Sequence, residues 1–168
     1  MSQAAKAKEE ISQNNSAKNE VVQALQVQVA NAFVLYLNYK HYHWQTFGPH
    51  FRDMHLLLDE FAGEVYETID VLAERVRMIG QSPIAHFEDF MKMSTIKAAK
   101  KGTNMREMIA EADTNVITII KEMRQAIKTA DDNDDPGTAD IFTRFVQIHE
   151  KHEWWLRDIL EKRDGLSA

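Results

Sequence analysis

Cysteine is absent from the 168-residue chain, which excludes disulfides and thiolate-bound metals alike. Any metal chemistry must rest on imidazole and carboxylate, supplied by 7 histidines and 26 acidic residues. Positive charge is also in short supply. The formal net charge of −6 argues against a generally basic, nucleic-acid-binding surface and suits a protein that attracts cations. No uninterrupted apolar run approaches the length of a membrane span, and the opening residues 1–6 are polar, without the apolar core of a secretory signal. A cytoplasmic location without a membrane partner is therefore expected. Proline occurs only at Pro49, Pro83 and Pro136.

What remains is long-period helical patterning. With 44% hydrophobic and 27% charged residues, the composition is that of a soluble globular domain, and the length suits one core. Val22, Leu25, Val29, Phe33, Tyr36 and Leu37 recur at helical spacing, predicting a first helix from about Lys18 to Thr46, ended by Gly48-Pro49. A second helix is expected from about Pro49 to Ile79, stopped at Gly80-Gln81-Ser82-Pro83. A crossover from Pro83 to Gly102 follows, with a short helix near His86 to Met93. The third helix, about Asn104 to Ala130, has a stripe that includes Met108, Val116, Ile119 and Met123; its methionines read as core filler. A fourth is expected from about Thr138 to Lys162. The fold class is all-α: a four-helix bundle whose long crossover between helices 2 and 3 lets those two run parallel, as ferritin-like folds do. The domain is expected over residues 18–163, with a flexible polar tail at 1–17 and a short tail at 164–168.

The second helix carries the most informative spacing. His55 and Asp59 stand four apart, as do Asp70 and Glu74, so each pair projects from one face and could hold a metal. At roughly 100° per residue all four fall within about a quarter turn of the helix surface. Along the axis, however, the step from Asp59 to Asp70 is a rise of roughly 16 Å, too far for one ion to bridge. A second copy of the helix running antiparallel would bring His55 and Asp59 of one chain against Asp70 and Glu74 of the other, generating two equivalent sites. Gly63, near the centre of the pattern, would permit close approach.

His43-Trp44, Gly48, Phe51, His55, Asp59, Asp70 and Glu74-Arg75 together resemble the ferroxidase signature of Dps, the DNA-binding proteins from starved cells, and helix order agrees over nearly all the rest. The resemblance implies a ferritin-like mini-ferritin, a dodecameric shell, and a metal site of His43, His55, Asp59, Asp70 and Glu74 at the two-fold interface. His43, Asp70 and Glu74 would come from one subunit, and His55 and Asp59 from its mate. It further implies oxidation of Fe(II) to Fe(III), preferentially with hydrogen peroxide, storage of the ferric product, and protection against oxidative stress. Zn(II) would accept the same ligands and compete. Trp44 beside His43, and Trp154 or Trp155, could intercept stray oxidising equivalents or serve simply as packing. By position in the family's shell, Asp135 and Asp140 would border the pores through which iron enters, although an aspartate run is also an ordinary capped turn.

His149 and His152 fall three apart on the inward side of the fourth helix. Two readings stay open: hydrogen-bonded core histidines, or an extra ligand or supporting residue for the metal site. The absence of any Glu-x-x-His separates the chain from bundle-core di-iron enzymes. The resemblance carries least weight for DNA. Lys6, Lys8 and Lys18 are matched by Glu9, Glu10 and Glu20, and a neutral tail has little counterion release to exploit, so DNA binding should be weak or absent. The alternatives are a DNA-condensing, nucleoid-associated protein with a subsidiary metal site, and a purely structural bundle.

Overall fold

A computed structural model of the chain describes residues 3–161, with side chains from residue 19 onward. Its elements are α1 (Gln3–Gln45), α2 (Phe51–Met78), the short α3 (Phe87–Met93), α4 (Met105–Asp132) and α5 (Pro136–Leu160), with no strand among the described residues. The chain is all-helical, as expected. Helix α1 begins well before the expected Lys18: the backbone is helical from Gln3 onward, where a flexible tail at 1–17 was anticipated. That segment is rich in Ala, Gln, Lys and Glu, good helix formers that can propagate a helix nucleated by packing farther along. The expected tail at 164–168 lies outside the described residues.

Residues 46–50 turn the chain between α1 and α2, and Gly48 takes φ +86°, a left-handed conformation that costs glycine little. Phe51 N–H closes the turn on the Gly48 carbonyl at 3.0 Å. Helices α1 and α2 pack along one another, and so do α4 and α5. Apolar stripes meet in one core in which Leu25, Tyr39, Phe61, Leu72, Met123 and Phe142 are fully buried. Each such side chain contributes about 1.5–3 kcal/mol relative to exposure. Asn19–Gln45 includes a stretch apolar enough to cross a bilayer by length and composition, but more than half of it is buried within the bundle, which accounts for its character.

The start of α4, at Met105 and Ile109, lies beside the α1–α2 turn, while Arg75 near the other end of α2 reaches the start of α5. Helices α2 and α4 are thus parallel, and the crossover must travel the length of the bundle. It is held there by buried amides. Gln26 bonds the backbone of Ser82 and Ile84, both at 2.8 Å. Asn31 accepts from Thr95 N–H at 2.9 Å, and Asn38 holds the Lys97 carbonyl at 2.8 Å and the Ala99 N–H at 2.7 Å. Asn115 on α4 completes the seam by bonding both backbone groups of Lys97. These amides satisfy irregular backbone that would otherwise be costly to bury.

Helix starts follow their caps. Asn104 and Glu107 form a capping box on α4. Asp135 caps α5 ahead of Pro136 at its first position, so that helix starts at Pro136 rather than Thr138.

Candidate metal centre

The end of α1 and the beginning of α2 face each other across the short turn, bringing His43 against His55. Their rings stack with centroids 3.6 Å apart and 18° between planes. The backbone bonds are reciprocal: His43 Nδ1 donates to the His55 carbonyl at 2.7 Å, and His55 Nδ1 donates to the His43 carbonyl at 2.9 Å. A carbonyl can only accept, so each Nδ1 carries the proton and, in the neutral ring, each Nε2 keeps its lone pair. Backbone support of this kind fixes tautomer and ring orientation in metal-binding histidines. Thr46 donates to the same His43 carbonyl at 3.0 Å.

Asp59, one turn beyond His55, is half-exposed and accepts from Lys40 Nζ at 2.6 Å. That hydrogen bond chiefly holds its carboxyl below the usual carboxylate range, with the Lys40, His43 and His55 charges adding to it. Within the chain, the Lys40 ammonium is thus the positive charge that Asp59 faces. Lys40 also stands 5.7 Å from the centroid of the exposed Trp44 ring.

Asp70 and Glu74 lie farther along the same helix and are exposed. Among the described residues, no group of three or more histidine or acidic side chains comes together to hold a metal within one chain. Within one chain His43 packs against His55 and lies near Asp59, rather than beside Asp70 and Glu74 as the expected division has it. The physical reason is the tight α1–α2 turn, which places the last turn of one helix on the first turns of the next. Each chain therefore presents a half with two imidazoles and one carboxylate, and a half with two carboxylates.

The surface between the halves is suited to close contact. A Cβ added at Gly63 would meet nothing within 4 Å. Leu56, Tyr66 and Val71 are exposed on the same helix, a concentration of apolar side chains that usually marks an interface.

His149 and His152 lie within the bundle, both buried. The two nitrogens of His152 are engaged: Nε2 donates to Glu64 at 2.8 Å, and Nδ1 faces the Tyr39 hydroxyl at 3.2 Å. Its ring stacks on Phe61 at 3.8 Å. Burial pushes its pKa down to about 4 against the opposing pull of Glu64, and burial with the His152 charge pushes His149 down to about 3. Burial raises the Glu64 carboxyl, but hydrogen bonds from Lys151 and His152 outweigh it and hold the group below its usual range. His149 Nδ1 is buried with no partner.

Asp135 accepts from Thr138 N–H at 3.0 Å and from Thr138 Oγ1 at 2.7 Å, and is ion-paired with Arg75. Burial raises its carboxyl, but these bonds outweigh the effect and keep it low. Gly137 makes room for that contact, since a Cβ there would come within 2.9 Å of the Arg75 guanidinium. Asp140 stays exposed, 3.1 Å from Arg144. Of the two aspartates expected at a pore, one is engaged in capping and the other faces solvent.

Sequence reasoning passed over Lys40 and Glu64. Lys40 sits three residues before His43 on the same helix face, a signal that was available. Glu64 meets a histidine 88 residues away, which no local pattern reveals.

Known proteins place this architecture. A ferritin-like domain matches residues 22–165. A DNA protection during starvation protein of Brevibacillus brevis is 36% identical over 146 residues, covering 87% of this chain and 98% of that protein. The X-ray structure of Dps from Thermosynechococcus elongatus superposes with a TM-score of 0.89 at 44% identity, over 92% of this chain and 99% of that one. A Vibrio cholerae Dps structure, described as a member of a broad superfamily of ferritin-like diiron-carboxylate proteins, matches with a TM-score of 0.82 at 25% identity, over 87% of this chain and 92% of that one. With matches of this extent to both its bundle and its sequence, the chain belongs to the Dps family of ferritin-like proteins.

Proposed function

We propose that the chain is a Dps-type mini-ferritin that oxidises Fe(II) at sites shared between two subunits, with hydrogen peroxide as the preferred oxidant. Its cargo is ferric iron stored inside a dodecameric shell, and its setting is the cytoplasm under oxidative stress. The observation that carries this reading is the prepared half-site: two stacked imidazoles whose Nδ1 atoms are fixed by each other's backbone, leaving both Nε2 atoms free beside Asp59. Asp70 and Glu74 supply the complementary half from a second copy about a two-fold axis. Imidazole with carboxylate suits Fe(II), and clustered carboxylates favour the Fe(III) product. Two Fe(II) give one electron each to hydrogen peroxide, yielding two Fe(III) and two hydroxide ions without release of hydroxyl radical. Asp140, exposed near the start of α5, adds to the field that draws Fe(II) towards the shell. Zn(II), accepting the same donors, acts as a competitive occupant. The neutral charge balance over residues 1–20 favours iron chemistry over DNA condensation as the main role.

The test is anaerobic Fe(II) oxidation on peroxide addition, and separately in air, for wild type, for His55→Ala with Asp59→Ala, and for Asp70→Asn with Glu74→Gln. Both double variants are expected to lose fast oxidation. Co-assembled at random, they should recover about a quarter of wild-type activity, because half the dimers are mixed and each mixed dimer has one intact site. No recovery would sink the shared site, and wild-type rates in either variant would sink the ferroxidase reading.

A further inference from the structure

Where the α1–α2 turn meets the start of α4 and the end of α5, a cavity of about 580 Å³ opens at the end of the bundle. One histidine and two methionines line it. His50 immediately precedes α2, Met54 lies one turn into that helix, and Met105 is the first residue of α4. Met54 N–H donates to the His50 carbonyl at 3.1 Å, so the two side chains leave neighbouring positions on one helix face. Ile109 and Leu160 add apolar surface. Among the described residues no carboxylate lines this cavity, although the chain has 26 acidic residues.

The methionines of α4 differ in their surroundings. Met108 and Met123 are each 1% exposed and fill the core, whereas Met105, like Met54, is only half-buried and forms a cavity wall. His50 is exposed, and its side chain makes no capping hydrogen bond to the helix it precedes. An imidazole and two thioethers are thus gathered at one opening without a structural task that occupies their lone pairs.

We propose that His50, Met54 and Met105 form a binding site for Cu(I), one ion per chain. Thioether sulfur is a soft donor that selects Cu(I), and imidazole completes the set without adding charge, whereas Mg(II), Ca(II) and Mn(II) prefer oxygen donors that this wall lacks. Charge selects in the same direction. The Arg106 guanidinium also lines the cavity, tied to the Leu160 carbonyl at 2.8 Å, and its repulsion is twice as large for a divalent ion as for a monovalent one. The cavity is much wider than an ion, but each methionine has three rotatable bonds, so both sulfurs can converge on Cu(I) without backbone movement. None of the three donors is among His43, His55, Asp59, Asp70 and Glu74, so the inference stands apart from the iron reaction.

The test titrates the iron-free protein with Cu(I) under anaerobic conditions against the chelator bathocuproine disulfonate, whose coloured complex reports the copper that the protein does not hold. Wild type is expected to withhold one Cu(I) per chain, and X-ray absorption at the copper edge should show sulfur neighbours together with nitrogen. Met54→Leu with Met105→Leu keeps the size and apolar character of both side chains, and should weaken Cu(I) binding by about 100-fold or more. His50→Gln should remove the nitrogen contribution while leaving the sulfur. His55→Ala with Asp59→Ala should still withhold Cu(I), which distinguishes this cavity from copper captured by the imidazoles of the proposed iron site. The absorption spectrum of wild type decides the matter even where the double methionine variant fails to fold. Copper surrounded only by nitrogen and oxygen, unchanged affinity in the folded methionine variant, or no Cu(I) withheld from the chelator would each overturn the proposal.

Discussion

The chain has two close histidine pairs, His43 with His55 and His149 with His152, and their environments are opposite. At the α1–α2 turn the rings stack face to face, both Nδ1 atoms are occupied by backbone carbonyls, and the Nε2 atoms are left over. Inside the bundle the rings meet edge to face at 5.9 Å, one ring is satisfied on both nitrogens, and the other keeps a buried Nδ1 without a partner. What would prepare an imidazole for a metal, on the proposed function, is therefore neither pairing nor proximity. It is a backbone partner on one nitrogen and an open path to the other.

Truncating one member of each pair should separate the two roles most widely. His43→Phe fills the same space but removes a proposed ligand, and is expected to cut peroxide-driven Fe(II) oxidation by about 100-fold or more, beyond the 10–100-fold typical of losing a supporting residue. Its unfolding free energy should fall by only about 1 kcal/mol, since the ring shape and stacking are kept and the one bond lost is the Nδ1–H donation to the His55 carbonyl. His152→Leu should do the reverse. It leaves the Tyr39 hydroxyl buried without a partner and deprives Glu64 of a donor, costing about 2–4 kcal/mol in denaturant titration while preserving ferroxidation per folded shell. Equal stability in the two variants would undo the distinction.

Acid provides the next contrast. His149 and His152 have pKa values pushed down to about 3 and about 4, so below an unfolded value near 6.5 the unfolded chain binds protons that the folded chain refuses. Stability should therefore fall as the pH drops from about 6.5 towards 4, by about 2 kcal/mol per histidine at pH 5. Glu64 and Asp135, held low by their partners, act in the same direction nearer the bottom of that range. Urea midpoints measured between pH 7 and pH 4 on the iron-free shell would show the slope, and a flat profile would contradict it.

Within the inner pair the members differ as well. His149→Leu removes an unpartnered buried nitrogen and should change stability at pH 7 by less than about 1 kcal/mol in either direction. It should also remove about half of the acid slope. A large loss at pH 7 would mean that His149 makes a bond not visible in the static structure.

How far the sequence announced these differences depends on distance along the chain. The four-residue steps from His55 to Asp59 and from Asp70 to Glu74 are properties of one helix, so periodicity alone placed them on one face while leaving the two pairs too far apart along the axis for one ion. The bundle order and the crossover followed from where proline and glycine interrupt the apolar stripes. That His43 packs against His55 depends on a five-residue turn between helices, whose geometry no helical period encodes. His152 could not be assigned because its partners Tyr39 and Glu64 come from two other helices. Gln26, Asn31 and Asn38, which anchor the crossover, look like interruptions of an apolar stripe until the backbone they hold is seen. Asp135 read as part of an acidic run, while Arg75 and Gly137 show it to be a cap with a dedicated ion pair.

The smallest expected effect sharpens what distinguishes the outer pair. Lys40 holds Asp59 at 2.6 Å, so at the proposed site Fe(II) would compete with that ammonium for the carboxylate. Because Asp59 is half-exposed, such a pair is worth only about 0.2–1 kcal/mol. Lys40→Met keeps the alkyl stem against Trp44 while removing the charge, and should tighten Fe(II) binding by about 1.4- to 5-fold in anaerobic calorimetry. The gain should shrink with added salt, because only the exposed charge pair is being removed. A weakening instead would show that Lys40 orients Asp59 for the metal, and the outer pair would then depend on a third side chain for its preparation.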